Sequence, residues 1–377
     1  MIDNAPMKLT SAGKITKRLK AGKHQIRVEK ENFISFNEEI TLRVGSIKNI
    51  QINIKEAPKP LSTGGLLAKG NELSDSFYLG DNGKTIYKAV IGFETDGAIK
   101  NIENQAITAP KLSGVDEIIW SPDKNLALFR KSTGLYLFDF KKYDFVNQAE
   151  AFFGTNIGSI AWAPDNSKLA YFYSTSGPNG EKTLMFSNLA NTQIERVYNF
   201  LDTSIENPLL HWSSDSKKLL IISRSRKFDQ NKIYSFDPYS RLLSELTDTG
   251  NQVDAVFSPD NSKIIYATYS TDPNEPIPFV LSIMNADGTD KKSLDVRADI
   301  RKGVFFKDSK NLLLVSYNTQ AAQDYMFKFN IETKQKSFAV NNSGGGRISS
   351  IALVNEDQII LYESNNSLYG IKSNIFN

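Results

Sequence analysis

The chain has 377 residues, 40% of them apolar and 23% charged, with a net charge of only +3 and no cysteine. This balance excludes a long disordered protein, disulfide or thiol chemistry and a cysteine-held metal, and no nucleic-acid partner is expected. There is room for two domains; no stretch approaches the ~20 apolar residues of a membrane span, and the first residues lack a signal-peptide core.

Charge is uneven along the chain. Residues 1–60 carry 12 Lys/Arg against 6 Asp/Glu, leaving +6 there and −3 on the remainder. The cluster Lys14, Lys17, Arg18, Lys20 and Lys23 suits contact with an anionic surface, although a solvated strand face is the commoner meaning of such a run. Residues 8–55 alternate with a strand period at Ile26–Glu29, Ile40–Val44 and Ile50–Ile54, with turns at Ala21-Gly22 and Val44-Gly45-Ser46.

The run from Leu19 to Phe33, with its Ala-Gly turn and its strand of alternating apolar residues, resembles the PEGA-domain family over roughly residues 2–55. Asn32-Phe33 stands where that family has Gly-Tyr. The resemblance implies a small β-sandwich module over residues 1–56, with a further strand before the Ile2–Pro6 corner. A β-module of about 55 residues is marginal for burying a core. A missing upstream strand, and a membrane anchor ahead of this Met1, are therefore expected.

Glu56-Ala57-Pro58-Lys59-Pro60 and the glycines that follow predict a linker over 57–65. Beyond it the chain repeats. Trp120-Ser121-Pro122-Asp123, Trp162-Ala163-Pro164-Asp165, Trp212-Ser213-Ser214-Asp215 and Phe257-Ser258-Pro259-Asp260 are copies of one phrase, with looser ones at Tyr78–Asp81, Phe305–Asp308 and Leu353–Glu356. The starts recur every 42 to 50 residues, the length of four short strands with their turns. Pro and Asp/Asn place a tight turn in each copy, apolar runs such as Leu219–Ile222 and Ile264–Tyr266 follow, and the aromatic anchors the first strand where neighbouring sheets pack. The predicted anchors are Tyr78, Trp120, Trp162, Trp212 and Phe257, with Asp123, Asp165, Asp215, Asp260 and Asp308 at the turns.

These repeats resemble the WD40-like, TolB-type propeller family over residues 66–377, most closely at Trp162–Tyr171 and Phe257–Tyr266, where Asn166 and Asn261 replace the usual Gly. The fold class is all-β: the small module followed by a propeller, seven-bladed by the count of corners, with six or eight as alternatives. Leu66-Leu67-Ala68 is expected to supply the fourth strand of the last blade and so close the ring.

Candidate chemistry is sparse. His24 and His211 are the only histidines, no Gly-x-Ser-x-Gly elbow occurs, and neither histidine has ligand spacing around it. A ring formed by the five corner aspartates is less probable than five turn caps, because no calcium-loop pattern surrounds them. The Asn341–Arg347 stretch is glycine-rich but is not followed by a helix or by Gly-Lys-Ser/Thr, so it reads as a mobile loop between blades rather than a phosphate cradle. No acid pair suggests glycoside hydrolysis.

Loop length says more. Four successive second-to-third strand connections are long, Ser174–Lys182, Ser223–Lys232, Ser270–Pro278 and Ser316–Asp324, whereas Lys131–Gly134 is short. The resulting candidate binding face carries Tyr173, Arg224, Arg226, Lys227, Tyr269 and Phe279. The expected protein is a non-enzymatic, extracytoplasmic binding or scaffold protein that presents this face to a protein or glycan of the cell envelope, with no cofactor. A propeller hydrolase or lyase acting on wall polysaccharide, and an accessory subunit of a surface assembly, are the alternatives.

Overall fold

Trp120, Trp162, Trp212, Phe257, Phe305 and Leu353 each stand at or next to the end of a strand, each paired in register with the residue seven positions on: Ala127, Leu169, Leu219, Ile264, Leu312 and Ile360. The repeat read in the sequence is therefore a repeat in space. In the computed structural model the chain separates into two units, Met1–Lys59 and Pro60–Asn377. The structure describes residues 1–8, 10, 13–31, 33–52, 54–63, 65–66, 75–80, 85–93, 99–106, 115–123, 125–139, 151–175, 180–200, 205–224, 230–248, 250–270, 272, 277–337, 339–365 and 367–376, with the strands between 59 and 106 given largely by their backbone.

In the first unit β1 (Gly22–Val28) pairs antiparallel with β2 (Phe36–Leu42). The Ile2–Ala5 corner is a tight turn in which Asp3 and Asn4 take φ of 50° and 63°, and Ile2 bridges to Ile26. Gly45, at φ 72°, makes the turn in which Ser46 bonds back to Arg43. Ile50–Ile54 is not a ladder strand among the described residues. Its isoleucines are half-buried as the alternation requires, but the backbone is tied only by the bridge between Phe33 and Glu56 and the bond from Ile34 N–H to the Lys55 carbonyl.

The second unit is a propeller of seven four-stranded antiparallel sheets. β3 (Lys59–Thr63) is considered below. β4 (Gly65–Leu66), β5 (Asp75–Gly80), β6 (Thr85–Phe93) and β7 (Ile99–Ala106) form the first sheet. The second is β8 (Val115–Trp120), β9 (Leu126–Lys131), β10 (Gly134–Asp139) and β11 (Ala151–Gly154), and the third β12 (Ile157–Trp162), β13 (Leu169–Ser174), β14 (Lys182–Ser187) and β15 (Ile194–Asn199). β16 (Leu209–Trp212), β17 (Leu219–Ile222), β18 (Ile233–Asp237) and β19 (Leu242–Glu245) make the fourth; β20 (Gln252–Phe257), β21 (Lys263–Tyr269), β22 (Phe279–Asn285) and β23 (Lys292–Arg297) the fifth. β24 (Val304–Phe305), β25 (Asn311–Asn318), β26 (Gln323–Asn330) and β27 (Val340–Asn341) make the sixth. β28 (Ile348–Val354), β29 (Ile359–Ser364) and β30 (Ser367–Lys372) complete the last sheet together with β3.

The closing strand is thus Lys59–Thr63, inside the stretch expected to be linker, and Leu66 belongs to β4 of the first sheet instead. β3 is the outer strand and bonds on one side only, where the missing N–H of Pro60 is tolerated. Tyr78 lies inside β5, the second strand of its sheet, opposite Tyr87 of the third, so it is not equivalent to the anchors of the other corners, and Asp81 of its phrase lies outside the described residues. Ser316–Asp324 also differs from expectation: Ser316 to Asn318 and Gln323 onwards continue the ladder, which leaves a short turn in place of a long loop.

The core lies between successive sheets. Leu128, Leu135 and Phe153 of one meet Trp162, Leu169 and Met185 of the next. Leu184 and Phe186 then meet Leu219 and Phe236, Leu220 and Ile222 meet Ala255 and Ile264, and Ile265 and Leu281 meet Leu312 and Phe327. Ile91 of the first sheet packs among Ala352, Val354 and Leu361 of the last, which brings the two ends of the repeat together. Second strands are covered on both faces, which is why they read as unbroken apolar runs; Leu219–Ile222 are wholly buried.

The corners are locked twice. Within each, a backbone bond spans the turn, as from Ser213 N–H to the Lys218 carbonyl (2.8 Å) and from Ser258 N–H to that of Lys263 (2.9 Å). The residue after the aspartate takes nearly one left-handed conformation in four of them, with φ of 57°, 58°, 58° and 57° at Asn166, Ser216, Asn261 and Ser309. Four described corners then catch the next. Asp165 N–H donates to Ser216 Oγ (3.1 Å), Ser214 N–H to Asn261 Oδ1 (2.8 Å), Asp260 N–H to Ser309 Oγ (2.9 Å) and Lys307 N–H to Asp357 Oδ2 (2.5 Å).

Candidate functional site

Because the corners join first to second strands, second strands end and third strands begin at the opposite end of the propeller. There Tyr269 closes β21 directly opposite Phe279, which opens β22, and the two rings meet edge to face with centroids 6.1 Å apart. The short 3-10 turn Ile300–Lys302 leads into β24 and lays the Arg301 guanidinium 4.7 Å from the centre of the Phe279 ring. Arg301 grips Asp299 through two parallel bonds of 2.8 and 2.9 Å, and Asp299, nearly buried, also caps the turn through Arg301 N–H. The hydrogen bond to that carboxylate, set against partial burial, raises the proton affinity of Arg301 further. The result is a planar cation held rigid between a buried acid and an aromatic face.

A second assembly of the same kind adjoins it in the chain. Asp324 is fully buried, accepts from Ile348 N–H at 2.8 Å, and faces Arg347 Nε at 3.1 Å and Lys302 Nζ at 3.5 Å. The Arg347 guanidinium lies 4.6 Å from the Tyr317 ring centre. Tyr317 in turn lines a cavity of about 390 Å³ at the turn between β25 and β26. Between neighbouring first strands, His211 Nε2 meets Asp254 Oδ1 at 2.8 Å, and from the second strand β9 Arg130 reaches the Ile157 and Gly158 carbonyls of the next sheet.

Of the six residues expected to form the binding face, the structure brings together Tyr269 and Phe279. Tyr173 is not on a loop: it lies in β13 opposite Thr183, half-buried against the packing between the second and third sheets. Arg224 is exposed, and its carbonyl accepts from Glu206 N–H. Arg226 and Lys227 lie outside the described residues. Sequence reading did not single out Asp299, Arg301, Asp324 or Arg347: Asp299 and Arg301 lie outside the expected long loops, and Asp324 and Arg347 are the last residues of the Ser316–Asp324 connection and the Asn341–Arg347 stretch, neither of which was read for an acid or a guanidinium. The one available signal was an Asp-x-Arg spacing just ahead of a blade.

The corner aspartates do not converge. Asp123 accepts from Ser121 Oγ, Asp215 from Ser213 Oγ, Asp260 from Ser258 Oγ and Asp308 from Lys310 N–H, each within its own turn. Burial pushes the proton affinities of Asp165, Asp215, Asp260 and Asp308 up, but hydrogen bonds to their carboxylates outweigh it and hold all four below the ordinary value. The glycine-rich stretch is a built turn instead of a mobile loop. Asn342, buried, bonds to Ser364 Oγ and the Gly345 carbonyl, a Cβ on Gly344 would stand 2.9 Å from the Tyr369 ring, and Gly345 and Gly346 take φ of 69° and 65°. Among the described residues, no three His, Cys, Asp or Glu side chains gather as a metal site, and no helix is long and apolar enough to cross a membrane.

The family model for the PEGA domain matches residues 11–58. Residues 11–58 form a PEGA domain. No curated protein matches the chain. The solved structures similar to it include an oligogalacturonate lyase from Vibrio parahaemolyticus, at 14% identity over 82% of this chain and 85% of that one, with a TM-score of 0.53. A prolyl endopeptidase structure gives a TM-score of 0.59 at 14% identity, over 84% of this chain but only 49% of that one. A protein assigned as TolB from Agrobacterium tumefaciens gives 0.44 at 14% identity, over 71% of this chain and 92% of that one. The likeness to the lyase and the endopeptidase carries the propeller fold and, at 14% identity, nothing of an activity.

Proposed function

We propose that the protein is a non-enzymatic binding or scaffold protein of the extracytoplasmic envelope, in which the propeller end opposite the corners recognises a protein or glycan while the PEGA unit acts as a basic spacer near the surface. What carries this reading is the assembly of Arg301, Phe279 and Tyr269. Arginine and aromatic side chains are the residues that contribute most to recognition, and here they are held in place before any partner arrives, so little side-chain entropy is lost on binding. A hydrolytic or lyase reading calls instead for converging carboxylates with raised proton affinity. Among described carboxylates with a clear departure, only Asp357 is raised, by burial, and it sits in the β28–β29 corner bonded to Lys307 N–H.

The test is affinity capture from envelope extract with the whole chain and with a Tyr269→Ala/Arg301→Gln variant. Loss of specific partners by the variant is the expected result. Recovery of the same partners in the same amounts by both would remove this face from the reading.

A further inference from the structure

We infer that the cavity beside Tyr317 binds a carboxylated sugar of an acidic glycan; this rests on the reading of the same propeller end as a recognition face and names the ligand class for one part of it. The cavity is a shallow depression open to solvent, and its volume of about 390 Å³ has room for one sugar ring. Its lining is polar and aromatic. Tyr317, Thr319, Gln320, Tyr325, Ala339 and Asn341 line it, with no aliphatic side chain larger than alanine among these six. Two tyrosine rings flanked by amide and hydroxyl side chains suit a sugar, which needs a ring face to stack on and polar groups around it.

Among the described residues, the Tyr317 and Tyr325 hydroxyls and the Gln320 and Asn341 side-chain amides have no protein hydrogen-bond partner. They offer amide pairs and hydroxyls to vicinal ligand hydroxyls, and aromatic rings to the C–H face of a pyranose. The negative charge follows from Arg347. Its Nε faces the fully buried Asp324 and its plane rests on Tyr317, so the cation is fixed at the ring that walls the cavity, while its terminal amino groups have no protein partner among the described residues. A guanidinium fork so placed matches a carboxylate in two parallel bonds. Asp324 is a positioning residue here: its charge holds the Arg347 cation beside Tyr317 without touching the ligand.

Calorimetric titration of the whole chain with a hexuronate oligosaccharide, and with the same oligosaccharide after reduction of its carboxyl groups, tests this. The acidic form binds and the reduced form is expected to be at least tenfold weaker. Arg347→Ala strands the buried Asp324 and is a poor probe. Arg347→Lys keeps a cation there but loses the fork, and is expected to weaken the acidic form without changing the reduced one. Gln320→Ala/Asn341→Ala is expected to weaken both forms severalfold with an unchanged melting curve. Absence of binding by the wild type, equal binding of both forms, or full affinity in the double variant overturns the proposal. Partner capture through Tyr269 and Arg301 is read separately, so that failure here and failure of the wider reading remain distinct.

Discussion

The indole N–H of Trp212 donates to the carbonyl of Ala161 at 3.0 Å, one residue before Trp162, and Trp162 makes the same bond to Ile119 at 3.2 Å, one residue before Trp120. These two tryptophans each tie their own first strand to the first strand of the sheet before it. The phrase that marks the repeat in the sequence is therefore also the rivet between repeats.

Trp162→Phe separates the rivet from the packing. Phe257 and Phe305 fill the equivalent place, so a phenyl ring fits, and only the bond to Ile119 is lost. The expected cost is about 1 kcal/mol. Trp162→Ala empties a site whose side chain is almost buried, for about 3 to 5 kcal/mol. Urea unfolding of both variants checks the difference, and equal costs would mean that the indole serves only as bulk.

Asn166 and Asn261 share the same left-handed conformation but not the same surroundings. Asn261 bonds to Ser214 of the preceding corner through both Oδ1 and Nδ2, at 2.8 Å each, whereas Asn166 Oδ1 is buried with no partner. Glycine suits the backbone at either position. Asn166→Gly is therefore expected to be neutral or slightly stabilising, and Asn261→Gly to cost about 1 kcal/mol through the lost latch. Thermal unfolding of the two variants reads the difference directly.

What the sequence made legible is what turn chemistry decides locally. Ser-Pro-Asp-Asn fixes a corner within four residues, so the corners from Trp120 onward, the strands after them and their anchors could be placed, whereas the looser phrase at Tyr78, which lacks the Ser-Pro, could not. Lys59–Thr63 could not, because nothing local distinguishes a proline-bearing edge strand from a linker; its partner β30 lies some 300 residues away and is met only when the ring closes. Arg301 and Arg347 were illegible for a related reason. Their acids and rings come from different strands and from the segments between blades, and sequence order does not show which of these share one end. Ile50–Ile54 carried the right alternation, but alternation reports burial and not whether a ladder partner exists.

The two units are expected to answer pH in opposite directions. In the propeller, Asp165, Asp215, Asp260 and Asp308 bind protons less tightly when folded than when unfolded, so their contribution is complete above the ordinary value of 3.8 and is lost as pH falls through the lower folded values. Asp260→Asn should flatten the acid limb of the unfolding curve. In the first unit, His24 Nδ1 meets Asp3 Oδ2 at 2.6 Å and Nε2 meets the Lys20 carbonyl at 2.8 Å. Both partners are acceptors, so the ring is held with both nitrogens protonated. Its proton affinity is raised, first by the bond to Asp3 and then by that to Lys20, and the stabilisation is present below 6.5 and lost as pH rises through the higher folded value. An NMR titration of the His24 ring should show a midpoint above 6.5 that falls in Asp3→Asn; a midpoint unmoved by that change would break the link.

The last sheet has three strands from the end of the chain and one, β3, from before the first sheet. Without β3, β30 would present a bare row of backbone donors and acceptors, the kind of edge that recruits other chains. A chain beginning at residue 65 keeps every corner, every anchor and both guanidinium assemblies. It is nevertheless expected to melt well below the full chain and to associate with increasing concentration, because the seam between the two ends is then held only by side-chain packing such as that of Ile91 against Val354 and Leu361. Adding the 59–63 segment in trans as a peptide should restore the monomer and part of the melting temperature. A shortened chain that is as stable and as monomeric as the parent would show that the side-chain contacts close the ring without the strand.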